Sequence, residues 1–131
     1  MKKVIIIIIG ILILAIIVIV VFRLDEDNWI KDEKGVWIKH GNPASTPQEV
    51  LTQQNLIKKA KDIYSLQKSV GKDLSSGPCL GKIEDDWVLD IAHNPRESVD
   101  NLAENQCSEY NEGKVKHFVE LDLNGEVAKI K

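Results

Sequence analysis

The chain has 131 residues with 17 basic against 20 acidic side chains, and its apolar content is gathered at one end. Three of the basic residues (Lys2, Lys3 and Arg23) flank that apolar end, which leaves 14 basic against 20 acidic residues over 24–131, a net −6. This acidic balance, with no basic cluster beyond Lys58-Lys59-Ala60-Lys61, argues against nucleic acid as a partner and against a second electrostatic attachment to anionic lipid. The length beyond the apolar end allows one small domain and a linker.

Residues Val4 to Phe22 form an unbroken uncharged run, VIIIIIGILILAIIVIVVF. As a helix rising ~1.5 Å per residue it reaches ~28 Å, close to the ~30 Å hydrocarbon core of a bilayer. A cleaved secretory signal has a shorter core of ~7–15 residues and small residues at its cleavage site. Here the run passes directly into Phe22-Arg23-Leu24-Asp25, with Ala15 its only alanine and no Cys or pilin-type glycine at its edges. The expectation is an uncleaved anchor over 4–23, with residues 1–3 in the cytoplasm. Lys2 and Lys3 precede the span whereas Asp25, Glu26 and Asp27 follow Arg23, so the positive-inside rule places residues 24–131 outside.

Beyond an acidic collar, Asn28–Lys31 and Gly35–Lys39 read as two short strands joined by Asp32-Glu33-Lys34-Gly35, a turn with a left-handed residue near Gly35. Trp29 and Trp37 are expected to pack on one another across this ribbon, or to serve as a glycan-stacking platform. Gly41–Ser45 is a linker, which closes a juxtamembrane section over 24–46. Thr46-Pro47-Gln48-Glu49 then predicts a helix start, with Thr46 as N-cap, Pro47 at the first helical position and Glu49 completing a capping box. Val50, Ile57 and Tyr64 recur every seven residues, flanked by Leu56, Ala60, Ile63 and Val70, and Gly71 suits the position after the helix.

Asp73–Gly81 reads as a loop leading to Cys79. Trp87–Ala92 reads as a strand with Trp87, Leu89 and Ile91 on one face, ended by the turn His93-Asn94-Pro95-Arg96. The polar stretch Glu97–Asn111 carries Cys107 and one turn of helix near Val99–Glu104. Lys114–Leu123 alternates strictly, placing Val115, His117, Val119, Leu121 and Leu123 on one side, and Asn124-Gly125 predicts a two-residue hairpin loop. That loop pairs Leu121 with Ala128, Val119 with Ile130 and Glu120 with Lys129. The fold class is thus a transmembrane helix plus a small α+β domain over 47–131. In that domain one amphipathic helix packs on an antiparallel sheet that ends in a β-hairpin.

Cys79 and Cys107 form an even pair in a compartment expected to be oxidising, so they read as a disulfide. Closing that loop contributes about 3–4 kcal/mol on the chain-entropy model. The alternative, a metal site drawing on His93 or His117, lacks two ligands at tight spacing. His117 and Glu120 imitate an H-x-x-E pair, but on a strand they point to opposite faces, and His117 is expected as a hydrogen-bonded core histidine. His93, Arg96 and Asp90, with Asp85 and Asp86 nearby, are the weak catalytic candidates; the competing reading has Arg96 paired to a carboxylate beside an Asn-Pro turn. Asp122–Glu126 has a trace of a calcium loop, which the hairpin explains better. The sequence contains no phosphate loop, no nucleophile elbow, no glycosylation sequon and no cofactor motif.

The segment Trp29-Ile30…Gly35-Val36-Trp37-Ile38-Lys39-His40-Gly41-Asn42-Pro43 resembles a juxtamembrane segment of uncharacterised prokaryotic single-span envelope proteins. Cys79, Trp87–Arg96, Glu104–Cys107 and His117–Asp122 are similar to a C-terminal module of the same proteins. The resemblance implies membrane anchoring and an extracytoplasmic domain, and no activity. Such proteins carry an extra Cys pair around the first segment; here Lys31 stands in that region, so the ribbon lacks a staple. Three functions are in view: an envelope module that binds an extracytoplasmic protein, glycan or peptide; a small hydrolase or metal-dependent enzyme using His93, Arg96 and Asp90; and an accessory subunit whose anchor packs in a membrane complex. The lone Gly10 offers no small-residue face for the third.

Overall fold

The structure is a computed structural model that describes the backbone of residues 1–131 and the side chains of all but residues 23–26. The chain divides into two compact units, Met1–Ile30 with Ile38–Thr46, and Lys31–Trp37 with Pro47–Lys131. In the first, a continuous helix α1 (Lys2–Glu26) contains the segment Lys2–Phe22, which is long and apolar enough to cross a membrane. Every described apolar side chain of that segment is exposed. In the same unit Asn42 donates its backbone N–H to Asp27 Oδ1 at 2.8 Å, and Trp29 donates Nε1–H to the Ser45 carbonyl at 3.1 Å. Trp29 thus finds a backbone acceptor, while Trp37 lies under the ammonium of Lys31, 5.0 Å from the ring centre. Strands β1 (Asn28–Lys31) and β2 (Trp37–His40) form the expected ribbon.

The second unit packs helix α2 (Gln48–Ser69) against a four-stranded sheet of β3 (Cys79–Glu84), β4 (Trp87–Ile91), β5 (His117–Leu121) and β6 (Val127–Ile130), in that spatial order. Leu56, Ala60 and Tyr64 of α2 meet Ile83, Leu89, Ile91, Val119, Leu121 and Ile130 in one core, with Leu74 at its end. The seven-residue spacing thus buries Val50 and Tyr64 as expected, with Ile57 partly covered, but Val70 is exposed. The helix starts one residue later than the capping box requires. Pro47 itself, extended at φ −60° and ψ 151°, occupies the N-cap, and no side chain caps the first turn. Its carbonyl instead accepts the first helical bonds, from Val50 and Leu51. At the other end Gly71 takes φ +80°, and the bonds Lys72 N–H to Gln67 O and Gly71 N–H to Lys68 O close a Schellman motif.

The sheet is mixed, which corrects the antiparallel expectation: β3 and β4 are antiparallel, β5 and β6 are antiparallel, and β4 runs parallel to β5. A parallel neighbour requires a long return path, and the chain supplies it over residues 92–116. This crossover holds a 3₁₀ turn (Ser98–Asn101), a short helix α3 (Ser108–Asn111) and Cys107. It covers the sheet face turned away from α2, where Cys107, Tyr110 and Val115 pack on Val88 and Phe118. Val115 therefore belongs to the opposite face from Val119, because the strand begins only at His117. Strand β3 begins inside the stretch expected to be a loop, Asp73–Gly81, and runs on to Glu84. Gly81 at φ +89° and two register irregularities against β4 break the alternation by which it would have been recognised.

Two turns share one construction. In Asp32–Val36 and Asp122–Glu126 the Asp N–H bonds to the carbonyl four residues on, the Gly N–H returns to the Asp carbonyl, and Asp Oδ1 accepts two further backbone N–H groups at 2.8–2.9 Å. Gly35 and Gly125 hold the left-handed position at φ +82° and +81°. The C-terminal hairpin consequently has a three-residue loop ending in a bulge, not a two-residue loop. Val119 faces Ile130 and Glu120 faces Lys129 as expected, but Leu121 faces Val127 in place of Ala128. Asp122 spends its carboxylate on this turn. The tip of the β1–β2 ribbon docks on the second unit's body. Gln53 accepts the Trp37 N–H at 2.7 Å and donates to Gly35 O at 2.9 Å, and Ile130 donates its N–H to Lys34 O at 2.7 Å.

A side chain at Gly35 would put its Cβ 2.3 Å from the Ile130 carbonyl oxygen at a φ that L residues avoid. We expect Gly35→Ala to lower stability by about 1–3 kcal/mol, read as a shifted urea midpoint with an unchanged slope.

Candidate functional site

A cavity of about 520 Å³ lies within the second unit between the first half of α2, the ribbon tip and the adjoining ends of the sheet strands. Its volume falls in the range of small-ligand sites, ~300–1,000 Å³. Trp37, Trp87 and Leu56 give it an apolar lining, and Gln48, Glu49, Thr52, Glu84, Lys31 and Lys131 supply polar and charged groups. The local chain explains the aromatic wall. Asp85-Asp86 is a two-residue turn between β3 and β4, and Asp86 adopts φ 63°. Asp86 then accepts the Lys116 N–H on Oδ1 at 2.7 Å and the His117 N–H on its carbonyl at 3.2 Å. These bonds start β5 beside Trp87, so His117 stacks on the Trp87 ring at 4.7 Å, with Nε2 3.6 Å from Asp86 Oδ2. His117 is therefore not a core histidine: it sits on the helix side of the sheet but at its end, where the side chain is 44% exposed.

On the opposite face, Asp90 and Glu120 are parallel-strand neighbours in register. Arg96 of the crossover reaches both. It pairs closely with Glu120, lies 3.9 Å from Asp90 Oδ2, and donates to the Asp100 carbonyl at 3.1 Å. These groups line a smaller cavity of about 190 Å³ together with Cys107, Tyr110 and Phe118. One guanidinium facing two largely buried carboxylates leaves one negative charge uncompensated. Burial, then the charge of Glu120, pushes the Asp90 carboxyl up to about 7, against the pull of Arg96. Burial raises Glu120 as well, opposed by Arg96 and Lys129. The two carboxylates titrate as a pair that holds a proton near neutrality.

His93 belongs to a third arrangement. Its Nδ1 lies 2.8 Å from Asp100 Oδ1, its N–H points at the same carboxylate, and the Glu97 N–H reaches Asp100 Oδ2 at 2.7 Å. The bond to Asp100 raises His93, with burial opposing. Asp100, only 1% exposed, is held below the usual carboxylate range: burial works against this, and the Glu97 N–H and the His93 bonds prevail. Gly77 makes room for this carboxylate, since a Cβ there would lie 2.3 Å from Asp100 Oδ1. Asp100 is thus the bracket that folds the crossover back on the end of β4.

Of the three weak catalytic candidates, Arg96 and Asp90 share the 190 Å³ cavity, while His93 lines a different small cavity with Pro95, Glu97 and Asp122. Cys79 and Cys107 are joined in a disulfide with Cα atoms 5.0 Å apart, so neither sulfur offers a thiolate to a metal. Asp100, the pairing of Glu120 with Asp90 and the Trp87–His117 wall do not follow from the sequence, where Glu120 stands out only in the dismissed H-x-x-E pair and opposite Lys129. Only the matching positions of Asp90 and Glu120, each the fourth residue of its strand, carried a signal for the acid pair, and reading it required the parallel pairing.

Asp90 and His93 drive stability in the same direction. A carboxyl raised from 3.8 to about 7 on folding costs stability progressively as pH rises between those values. The stability that His93 contributes is full below its ordinary 6.5 and is lost as pH rises through its higher folded value. The wild-type chain should therefore be less stable at pH 8 than at pH 5. Asp90→Asn should remove about 2–3 kcal/mol of that difference, measured by urea unfolding at the two pH values. Compared with known proteins, the chain matches no family model, no curated protein sequence and no solved structure.

Proposed function

We propose that this protein is a membrane-tethered binding module for an extracytoplasmic glycan. In this reading α1 crosses the bilayer over residues 4–22 with Lys2 and Lys3 on the cytoplasmic side, and the second unit works outside. The 520 Å³ groove carries the proposal. Flat aromatic faces take up the C–H faces of sugar rings, while carboxylates, amides and ammonium groups bond their hydroxyls. Trp37 and Trp87 with Gln48, Glu49, Glu84 and Lys131 supply both kinds of group within one cavity. The disulfide fits an oxidising compartment, and the net −6 beyond the span keeps a glycan-binding face off the anionic headgroups. A hydrolase or metal-dependent reading through His93, Arg96 and Asp90 has less support, because His93 and Arg96 line different cavities and His93 is committed to Asp100.

Two measurements test the reading. Protease added to right-side-out spheroplasts should remove the second unit, and inverted vesicles should protect it; the reverse pattern defeats the orientation. Full-length protein in nanodiscs, applied to a glycan array, should retain a defined set of oligosaccharides. Trp87→Ala should then weaken binding of a retained glycan by about tenfold or more, as loss of ~1.4 kcal/mol of stacking implies, while Lys58→Ala leaves it unchanged. An array without retained glycans, or a Trp87→Ala protein that binds as well as wild type, would reject the groove as the site.

A further inference from the structure

The disulfide lies between two cavities of different character. On one side, a surface cavity of about 330 Å³ is lined by Cys79, Gly81, Gln106, Cys107 and Ser108. On the other, the 190 Å³ cavity holds Asp90, Arg96 and Glu120 against Cys107. The sulfurs differ correspondingly. Cys79 is half-buried and its Sγ accepts the Gly81 N–H at 3.3 Å, whereas Cys107 is 7% exposed. Cys107 Sγ lies 3.8 Å from Asp90 Oδ1 and 3.5 Å from the Leu89 carbonyl oxygen.

We propose that Cys79–Cys107 is an exchangeable disulfide, attacked by an incoming thiolate at Cys79, with Asp90 as the proton donor to the departing Cys107 sulfur. The bond between the two sulfurs breaks as one forms between the incoming sulfur and Cys79. The electron pair leaves with Cys107, and the Asp90 proton passes to it, giving a Cys107 thiol, an Asp90 carboxylate and a mixed disulfide on Cys79. The incoming thiol is oxidised and the protein disulfide reduced, so the step needs a thiol and nothing else.

Three observations lead there. The surface cavity touches both cysteines, and access favours Cys79 because it is the more exposed of the two. Exchange is faster the more stable the leaving thiolate. A bare thiolate at Cys107 would be buried against the Asp90 carboxyl and the Leu89 carbonyl oxygen, and the guanidinium of the same cavity, Arg96, is already paired with Glu120. Expulsion therefore requires a proton, and Asp90 is the acid beside the sulfur. The charged groups facing Asp90 are Glu120 on β5, Arg96 and Asp100 of the crossover, and Lys129 across from Glu120 on β6. Burial, and then their balance, leaves Asp90 carrying a proton up to about pH 7. Once reduced, Cys107 has the Leu89 carbonyl as acceptor for its S–H.

The test uses full-length protein in detergent with excess dithiothreitol between pH 5.5 and 8.5. Samples are quenched with acid, and free thiols are counted by alkylation and mass. Rates are expressed per dithiothreitol thiolate. The wild-type rate constant should be first order in dithiothreitol and should fall as pH rises through about 7, as Asp90 loses its proton. Asp90→Asn should be slower at pH 6 by about tenfold or more, with a flat profile. Glu120→Gln, which removes the like charge, should keep the fall but move it to lower pH. A rate independent of dithiothreitol concentration would mean that reduction waits on unfolding, and would overturn the proposal. So would an Asp90→Asn rate equal to wild type at every pH. If Asp90→Asn does not fold, a Glu120→Gln profile superimposable on wild type overturns it alone.

Discussion

The parallel pairing of β4 with β5 is the constraint on which the rest of the second unit depends. A hairpin returns the chain in a few residues, but a parallel neighbour obliges it to travel back along the sheet before it can pair. Here the return path has little regular structure of its own, so it has to be fastened. The Asp100 carboxylate fastens its beginning through three backbone and side-chain donors, and Cys107 fastens its later part to the first strand of the sheet. The same pairing sets Asp90 beside Glu120 and brings Arg96 over both. Scaffold and acid cluster are two outcomes of one topological choice.

The two faces of the sheet divide the labour. The face under α2 is apolar and carries the main core, and it supports the domain. The crossover face is thinner and more polar, built from a few aromatics, a disulfide and an ion cluster. Polar groups buried there are tolerated because each has a partner: among the described residues no buried side-chain nitrogen or oxygen lacks one. Residues on such a face titrate and react more readily than those in an apolar core, which is where chemistry is most easily housed.

What was legible in the sequence follows local physics. The apolar helix, the course of α2, its glycine end, the Trp87–Ile91 strand and the C-terminal hairpin all declare themselves through periodicity or turn residues within a few positions. Long-range consequences did not. Alternation in β5 shows that it is a strand but not whether its neighbour runs parallel, and β3 hides behind the irregularity at Gly81. The hairpin loop was misjudged because Asn124-Gly125 is a strong two-residue turn signal in isolation. Asp122, two residues earlier, can accept backbone N–H groups and so favours the longer loop. His117 was assigned to the core from its alternation alone; only the strand's start, set by Asp86, shows that it stands at an open end.

The docking of the ribbon tip on β6 has a bearing on how copies of the chain meet. An open sheet edge is a template for strand exchange between copies of a chain. Ile130 gives its amide to Lys34 within its own chain, and Lys34 Nζ takes the Val127 carbonyl at 2.9 Å. The far edge, β3, is irregular and pinned at its first residue by the disulfide. One edge is thereby occupied and the other is a poor template, so copies can be concentrated without zipping into ribbons.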